Sequence, residues 1–146
     1  MKKKSLVVLA VLLAVSFNAS ARDDRKMLSV QDALASAAAE GKIGSDVRLF
    51  WGNQNHPTVS NRIGEWGTNK KTNALNKSDQ EACNWVFLSA VIALQERARR
   101  EGGNAIVNIR SNYKNNETSS ETEFMCGVGN IIAGVALKGT VVKLAN

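Results

Sequence analysis

Between residues 78 and 113 the spacing of apolar positions changes from helical to strand-like. Residues 85 to 94 are apolar except for Ser89, and a helix built from such a block is apolar nearly all the way round, which implies burial on more than one side. Its ends are marked. Ser78-Asp79-Gln80-Glu81 fits a capping box, with the Ser78 hydroxyl accepting from the Glu81 amide and the Glu81 carboxylate reaching back to the Ser78 amide. Arg97, Arg99 and Arg100 suit the negative end of a helix dipole, and Gly102 suits a left-handed C-terminal turn. The pattern predicts a long helix over residues 79 to 101 with Trp85 in the core. After Gly103 the period falls to two: Ala105, Val107 and Ile109 form an apolar strand face opposite Ile106, Asn108 and Arg110. Residues 111 to 120, rich in Asn, Ser and Thr, read as the end of that strand and a turn. Residues 121 to 128 alternate again, with Thr122, Phe124, Cys126 and Val128 on one face, and Gly129-Asn130 marks a turn or bulge. Residues 131 to 144 supply one long or two short strands, with Gly139-Thr140 as the expected break.

The first half is less regular. Ser29 can cap a short helix over residues 30 to 40, which Gly41 ends. Residues 47 to 51 read as a strand, followed by a turn-rich stretch from Gly52 to the only proline, Pro57. Residues 63 to 68 read as a second strand, and 69 to 77 are polar enough for a surface loop. The expected fold is α+β: a long helix packed on a small antiparallel sheet in a β-α-β-β-like core, plus a short N-terminal helix. The helix is needed, because a three-strand meander with one apolar face is not stable alone.

The N-terminus carries a different signal. Lys2, Lys3 and Lys4 precede an apolar run over residues 6 to 15, and Ala19 and Ala21 supply small residues at alternate positions. That order reads as a cleavable secretion signal over residues 1 to 21, cut between Ala21 and Arg22, ahead of a single domain over 22 to 146. The apolar run of ten residues falls short of the roughly 20 needed to span a bilayer. Removing the leader takes three lysines and no acids from the 19 basic and 13 acidic residues, leaving a net +3 over 125 residues. A mildly basic domain of that kind lacks the charge footprint of a nucleic-acid binder.

The two cysteines gain meaning from that compartment. Cys83 shares a helix face with positions 87, 90 and 94, and Cys126 shares a strand face with Phe124 and Val128. Both sulfurs are predicted to meet in the helix-to-sheet interface of an exported protein, so a disulfide is expected. A redox pair fits less well, because catalytic dithiols usually lie close together, as in C-x-x-C, with one sulfur exposed.

Little reactive chemistry is legible. One histidine and two cysteines are too few for a structural zinc site, and no phosphate loop is present. His56 lies on a predicted loop without a G-x-S-x-G or similar nucleophile turn to pair with. Asp23-Asp24, Asp79-Glu81 and Glu121-Glu123 are carboxylate pairs, but a helix N-terminus and an exposed strand face already account for two of them. Trp51 and Trp66, each beside a glycine, are candidates either for a binding surface with His56 or for sealing the underside of the sheet. No catalytic residue, cofactor or metal ligand is assigned.

The run Gly102-Gly103-Asn104-Ala105-Ile106-Val107-Asn108 and onward to Asn115, with Glu81-Ala82-Cys83-Asn84-Trp85 and Ala133-Gly134-Val135-Ala136, resembles a small family of exported Gram-negative proteins that often carry the label excinuclease ATPase subunit. More distantly, a helix with an early cysteine, a Gly-Asn-Ala-Ile-Val strand and a cysteine-bearing strand are similar, over residues 78 to 138, to the domain of the outer-membrane stress sensor of the Rcs phosphorelay. That similarity implies a disulfide-stapled domain used for protein contacts, although this chain has one cysteine pair where the sensor has two and lacks its lipid-attachment cysteine. The expected role is a non-enzymatic periplasmic or secreted protein that binds another envelope component, a protein before any other class. No nucleotide, nucleic acid or membrane span is expected once the leader is removed. The alternatives are a small periplasmic hydrolase using His56 and a nucleic-acid binder, as the family label suggests.

Overall fold

The computed structural model describes residues 22–36 and 39–145; the predicted leader, including Ala21 on one side of the expected cut, lies outside them. The elements in chain order are β1 (Asp24–Ser29), α1 (Val30–Ala35), β2 (Arg48–Trp51), β3 (Val59–Asn73), α2 (Asp79–Arg100), β4 (Ala105–Tyr113), β5 (Asn116–Thr118), β6 (Glu123–Val128) and β7 (Ile132–Leu144). The expectation of a small antiparallel sheet is wrong. Among the described residues the fold is mostly β, 46% strand against 24% helix, and seven strands form one curled, mixed sheet. β2 runs parallel to β4, while the other ladders are antiparallel.

β7 organises the sheet. β3 pairs with it from Asn73↔Ile132 to Val59↔Leu144 and so fills one of its edges. The other edge is divided: β4 takes residues 137 to 142 and β6 takes 133 and 134. The sheet forks there, and β1 closes the β6 branch while β2 closes the β4 branch. The break expected at Gly139 does not occur. Glycine is used there for clearance, since a Cβ would come within 2.7 Å of Ile106 where β4 crosses close. The loop expected over 69 to 77 is instead largely strand: β3 is 15 residues long, and its polar residues sit at exposed positions of an edge strand. β1 was not foreseen, and α1 ends at Ala35 rather than residue 40.

α2 begins as its cap predicts, with the Ser78 hydroxyl accepting from the Glu81 amide at 3.1 Å. Its end is closed by Gly102 at φ +80° and by the Gly103 amide donating to the Ala98 carbonyl. One broad stripe, from Ala82 and Cys83 through Phe87, Ala90 and Leu94 to Ala98, is buried against the sheet. Trp85 lies outside that stripe and is 48% exposed, with the Lys42 ammonium 4.4 Å from its ring centroid. The apolar block therefore does not imply burial all round, because the sheet covers one side of the helix only. At the centre Phe87 stacks on Phe124 at 4.0 Å and lies 5.5 Å from Trp51. One turn away from Phe87, Cys83 is bonded to Cys126, with Cα atoms 5.9 Å apart and both residues fully buried.

Gln95 is the one buried amide of α2. Its Nε2 donates to the carbonyls of Gly44 and Val47, both at 2.9 Å, and its Oε1 accepts from the Gly44 amide at 3.2 Å. It thus satisfies a loop that has no ladder of its own. Gln95→Ala should cost about 2–3 kcal/mol in chemical denaturation, because these backbone groups lose their partner while still partly buried. A loss below about 0.5 kcal/mol would show that the loop does not depend on it.

Candidate functional site

Neighbouring side chains on a strand point to opposite faces, so β2 sends Trp51 into the core under α2 and Phe50 to the outer face. There Phe50 and Val59 pack on a second small cluster of Ala105, Val107, Val142 and Leu144. β4 changes its phase at a bulge at Asn108, where Val107↔Thr140 and Arg110↔Lys138 set one extra β4 residue against β7. Asn108 takes up the irregularity at φ +51°, a conformation asparagine tolerates better than most residues. The face expected to hold Ala105, Val107 and Ile109 together is split by this bulge, which turns Ile109 into the main core.

The loop after β2 folds back over this outer face. Gly52, at φ +55°, donates to the Ile109 carbonyl at 2.9 Å. The Trp51 amide donates to Gln54 Oε1 at 2.7 Å, and Gln54 Nε2 donates to the Glu121 carbonyl at 3.2 Å. His56 meets Phe50 edge-on, ring centroids 5.6 Å apart. Its Nδ1 lies 2.8 Å from the Pro57 carbonyl oxygen, which can only accept, so Nδ1 carries the proton and Nε2 is the ring atom left for a ligand.

The loop, Arg62 of β3, Asn108 of β4 and Thr140 of β7 enclose an open hollow of about 500 Å³. Its lining offers a guanidinium, the amides of Asn53, Asn55 and Asn108, a threonine hydroxyl and an imidazole, with no carboxylate or thiol among them. Arg62 makes no ion pair among the described residues. The guanidinium and the amide N–H groups suit an acceptor-rich or anionic group, and the imidazole Nε2 adds a single acceptor.

Beside the hollow, on the same face, stands a closed ionic cluster. Arg110 Nη2 reaches Glu65 at 3.0 Å and Glu117 at 3.2 Å, and Lys138 reaches the same carboxylates at 3.2 and 3.4 Å. Hydrogen bonds from Arg110, and then Lys138, hold the Glu65 carboxyl below the usual range, and Arg110 does the same to Glu117. Two cations and two anions satisfy one another, so the cluster braces β3, β4, β5 and β7 and takes no part of the Arg62 charge.

The three residues singled out in the sequence are not brought together. Trp51 is in the core, His56 is at the rim of the outer hollow, and Trp66 lies half-buried on the helix side of β3 with the Arg97 guanidinium 5.2 Å from its ring centroid. Arg62, Asn108 and Thr140 were missed, because only the β3–β7–β4 order makes them neighbours. The turn-rich stretch up to Pro57 was the one part of this site with a local signal. Among the described residues no group of three or more His, Cys, Asp or Glu side chains is placed to hold a metal ion, and no helix is long and apolar enough to cross a membrane. Comparison of the chain with protein-family models, with curated proteins and with solved structures found no match in any of the three.

Proposed function

We propose that this chain is an exported, non-enzymatic binding protein of the periplasm or extracellular space, whose outer-face hollow receives an acidic or carbonyl-rich segment of another envelope protein. The observation that carries this reading is the lining itself: Arg62, which has no ion pair among the described residues, and several side-chain amides line the hollow with no carboxylate among them, while His56 Nε2 adds one acceptor for an N–H of the same segment. The buried Cys83–Cys126 disulfide supports the compartment, since such bonds form and persist where the milieu is oxidising. The resemblance to exported Gram-negative proteins implies the same compartment, and the similarity to the Rcs sensor domain implies a domain used for protein contacts. A hydrolase at His56 would need a carboxylate and a nucleophile, and the hollow's lining offers no carboxylate or thiol, with Thr140 its one hydroxyl.

The test is capture of partners from envelope extract by the wild-type protein and by Arg62→Glu. A charge-assisted contact at Arg62 is worth enough that its reversal should weaken capture by about tenfold or more, with the melting temperature unchanged. An identical captured set for both proteins would overturn the reading. So would ester or peptide turnover that disappears in His56→Ala.

A further inference from the structure

Leu75, Ile131 and Ile132 are 51%, 60% and 51% exposed, and the backbone sets them in adjoining segments where β3 ends and β7 begins. They belong to two turns, residues 74–78 between β3 and α2 and residues 129–131 between β6 and β7, together with the first residue of β7. The turns are zipped side by side: the Ala74 amide donates to the Ile131 carbonyl at 2.6 Å, and Asn73 pairs with Ile132 in the ladder. The Leu75 amide donates to Asn73 Oδ1, the Lys77 ammonium to the Asn73 carbonyl, and the Gly129 amide to the Ile132 carbonyl. These bonds fix the backbone with its aliphatic side chains outward. Single exposed apolar residues are ordinary on a protein surface, but a cluster at the tips of adjoining turns marks a contact surface.

The surroundings of the tip are basic. Arg22, Lys71 and Lys114 line a hollow of about 480 Å³ beside Ile131 and Ile132, and Lys77 folds over the Leu75 turn. The nearby acids are already committed: Asp23 to Lys114, Asp24 to Arg22, and Asp79 to both Arg22 and Lys26. Lys71 and Lys77 have no carboxylate partner among the described residues. Cations remain in excess even when Glu81 of the first turn of α2 is counted. Arg22 also brings the N-terminal end of the domain to this place, since a Cβ on Gly129 would lie 3.2 Å from the Arg22 carbonyl oxygen.

We propose that this end docks on an anionic phospholipid surface, with Leu75, Ile131 and Ile132 entering the boundary between headgroups and acyl chains and Lys71 and Lys77 meeting the phosphates. Short aliphatic insertion combined with cations at headgroup depth is what reversible binding to an anionic bilayer needs. A second copy of the chain suits the tip less well. Three half-exposed aliphatic side chains offer on the order of a few hundred Å², against about 800 Å² per partner in a stable interface. Along β3, Arg62 lies eleven residues from Asn73 (73 minus 62), roughly 36 Å of strand at about 3.3 Å per residue. Docking would hold the His56 hollow away from the bilayer, open to a partner.

The experiment is flotation of the protein purified from the envelope with vesicles containing phosphatidylglycerol, set against vesicles of phosphatidylcholine alone. The protein should float with the anionic vesicles only, and less as salt rises. Ile131→Ser combined with Ile132→Ser should weaken that partition by about tenfold or more, and Lys71→Glu with Lys77→Glu should do the same without touching an apolar contact. Should the serine variant fold poorly, Ile131→Trp gives an independent readout, a blue shift of its fluorescence on anionic vesicles. The proposal is overturned if nothing floats at low salt, if wild type and variants float equally, as an uncut leader would cause, or if the serine pair instead abolishes a concentration-dependent dimer in solution.

Discussion

Reduction of the Cys83–Cys126 bond should lower the melting temperature by about 10–20 °C. The bond closes a loop with a sequence separation of 43, for which loss of chain entropy in the unfolded state gives roughly 4 kcal/mol in its favour. For a domain of this size each kcal/mol moves the midpoint by a few degrees. Both sulfurs are fully buried, so reductant reaches them only when the chain opens. The comparison is therefore made on protein unfolded with reductant and refolded in its presence, and on Cys83→Ser combined with Cys126→Ser in its absence. The two should agree. A wild-type transition that ignores reductant after such refolding would mean that the cross-link contributes nothing.

The second large effect is expected at Phe87. Its ring stacks on Phe124 and faces Trp51, joining α2 to β6 and β2 at one point. Phe87→Ala should cost about 3–5 kcal/mol, because the removed ring leaves a cavity between two rigid neighbours that cannot close over it. Trp85→Ala, two residues away, should cost less than about 1 kcal/mol despite removing a larger side chain, since that ring is half in solvent. Chemical denaturation of the two variants decides this; equal losses would mean that α2 is buried on both sides after all. Phe87→Ala and loss of the disulfide should not add simply, because Cys83 lies one turn from Phe87 and Cys126 shares a face with Phe124.

The parts of the fold legible in the sequence are those specified locally. Ser78, Glu81 and Gly102 mark the ends of α2 by local capping, its last turn carries the arginines that suit the dipole, and the two cysteines each lie on a face that a single period identifies. β1 and β3 were illegible or half-read because edge strands need no apolar alternation when one flank faces water; their specification lies in β6 and β7, remote in sequence. Gly139 was misread because a glycine that breaks a strand and one that lets another strand approach look alike until the neighbour, Ile106, is known. Trp85 was misread because apolar content does not say how many sides of a helix are covered. The same limit applies to the site. His56 and its loop carry turn chemistry, whereas Arg62, Asn108 and Thr140 meet only through sheet order and a bulge.

What holds this protein together is a covalent link between the inner face of α2 and the inner face of β6, made in an oxidising compartment. Alkylation of the native protein under denaturing conditions without reductant, followed by mass analysis, tests that link directly. The expected result is no alkylated cysteine and one cross-linked peptide pair containing Cys83 and Cys126. Two alkylated cysteines in the native material would contradict it.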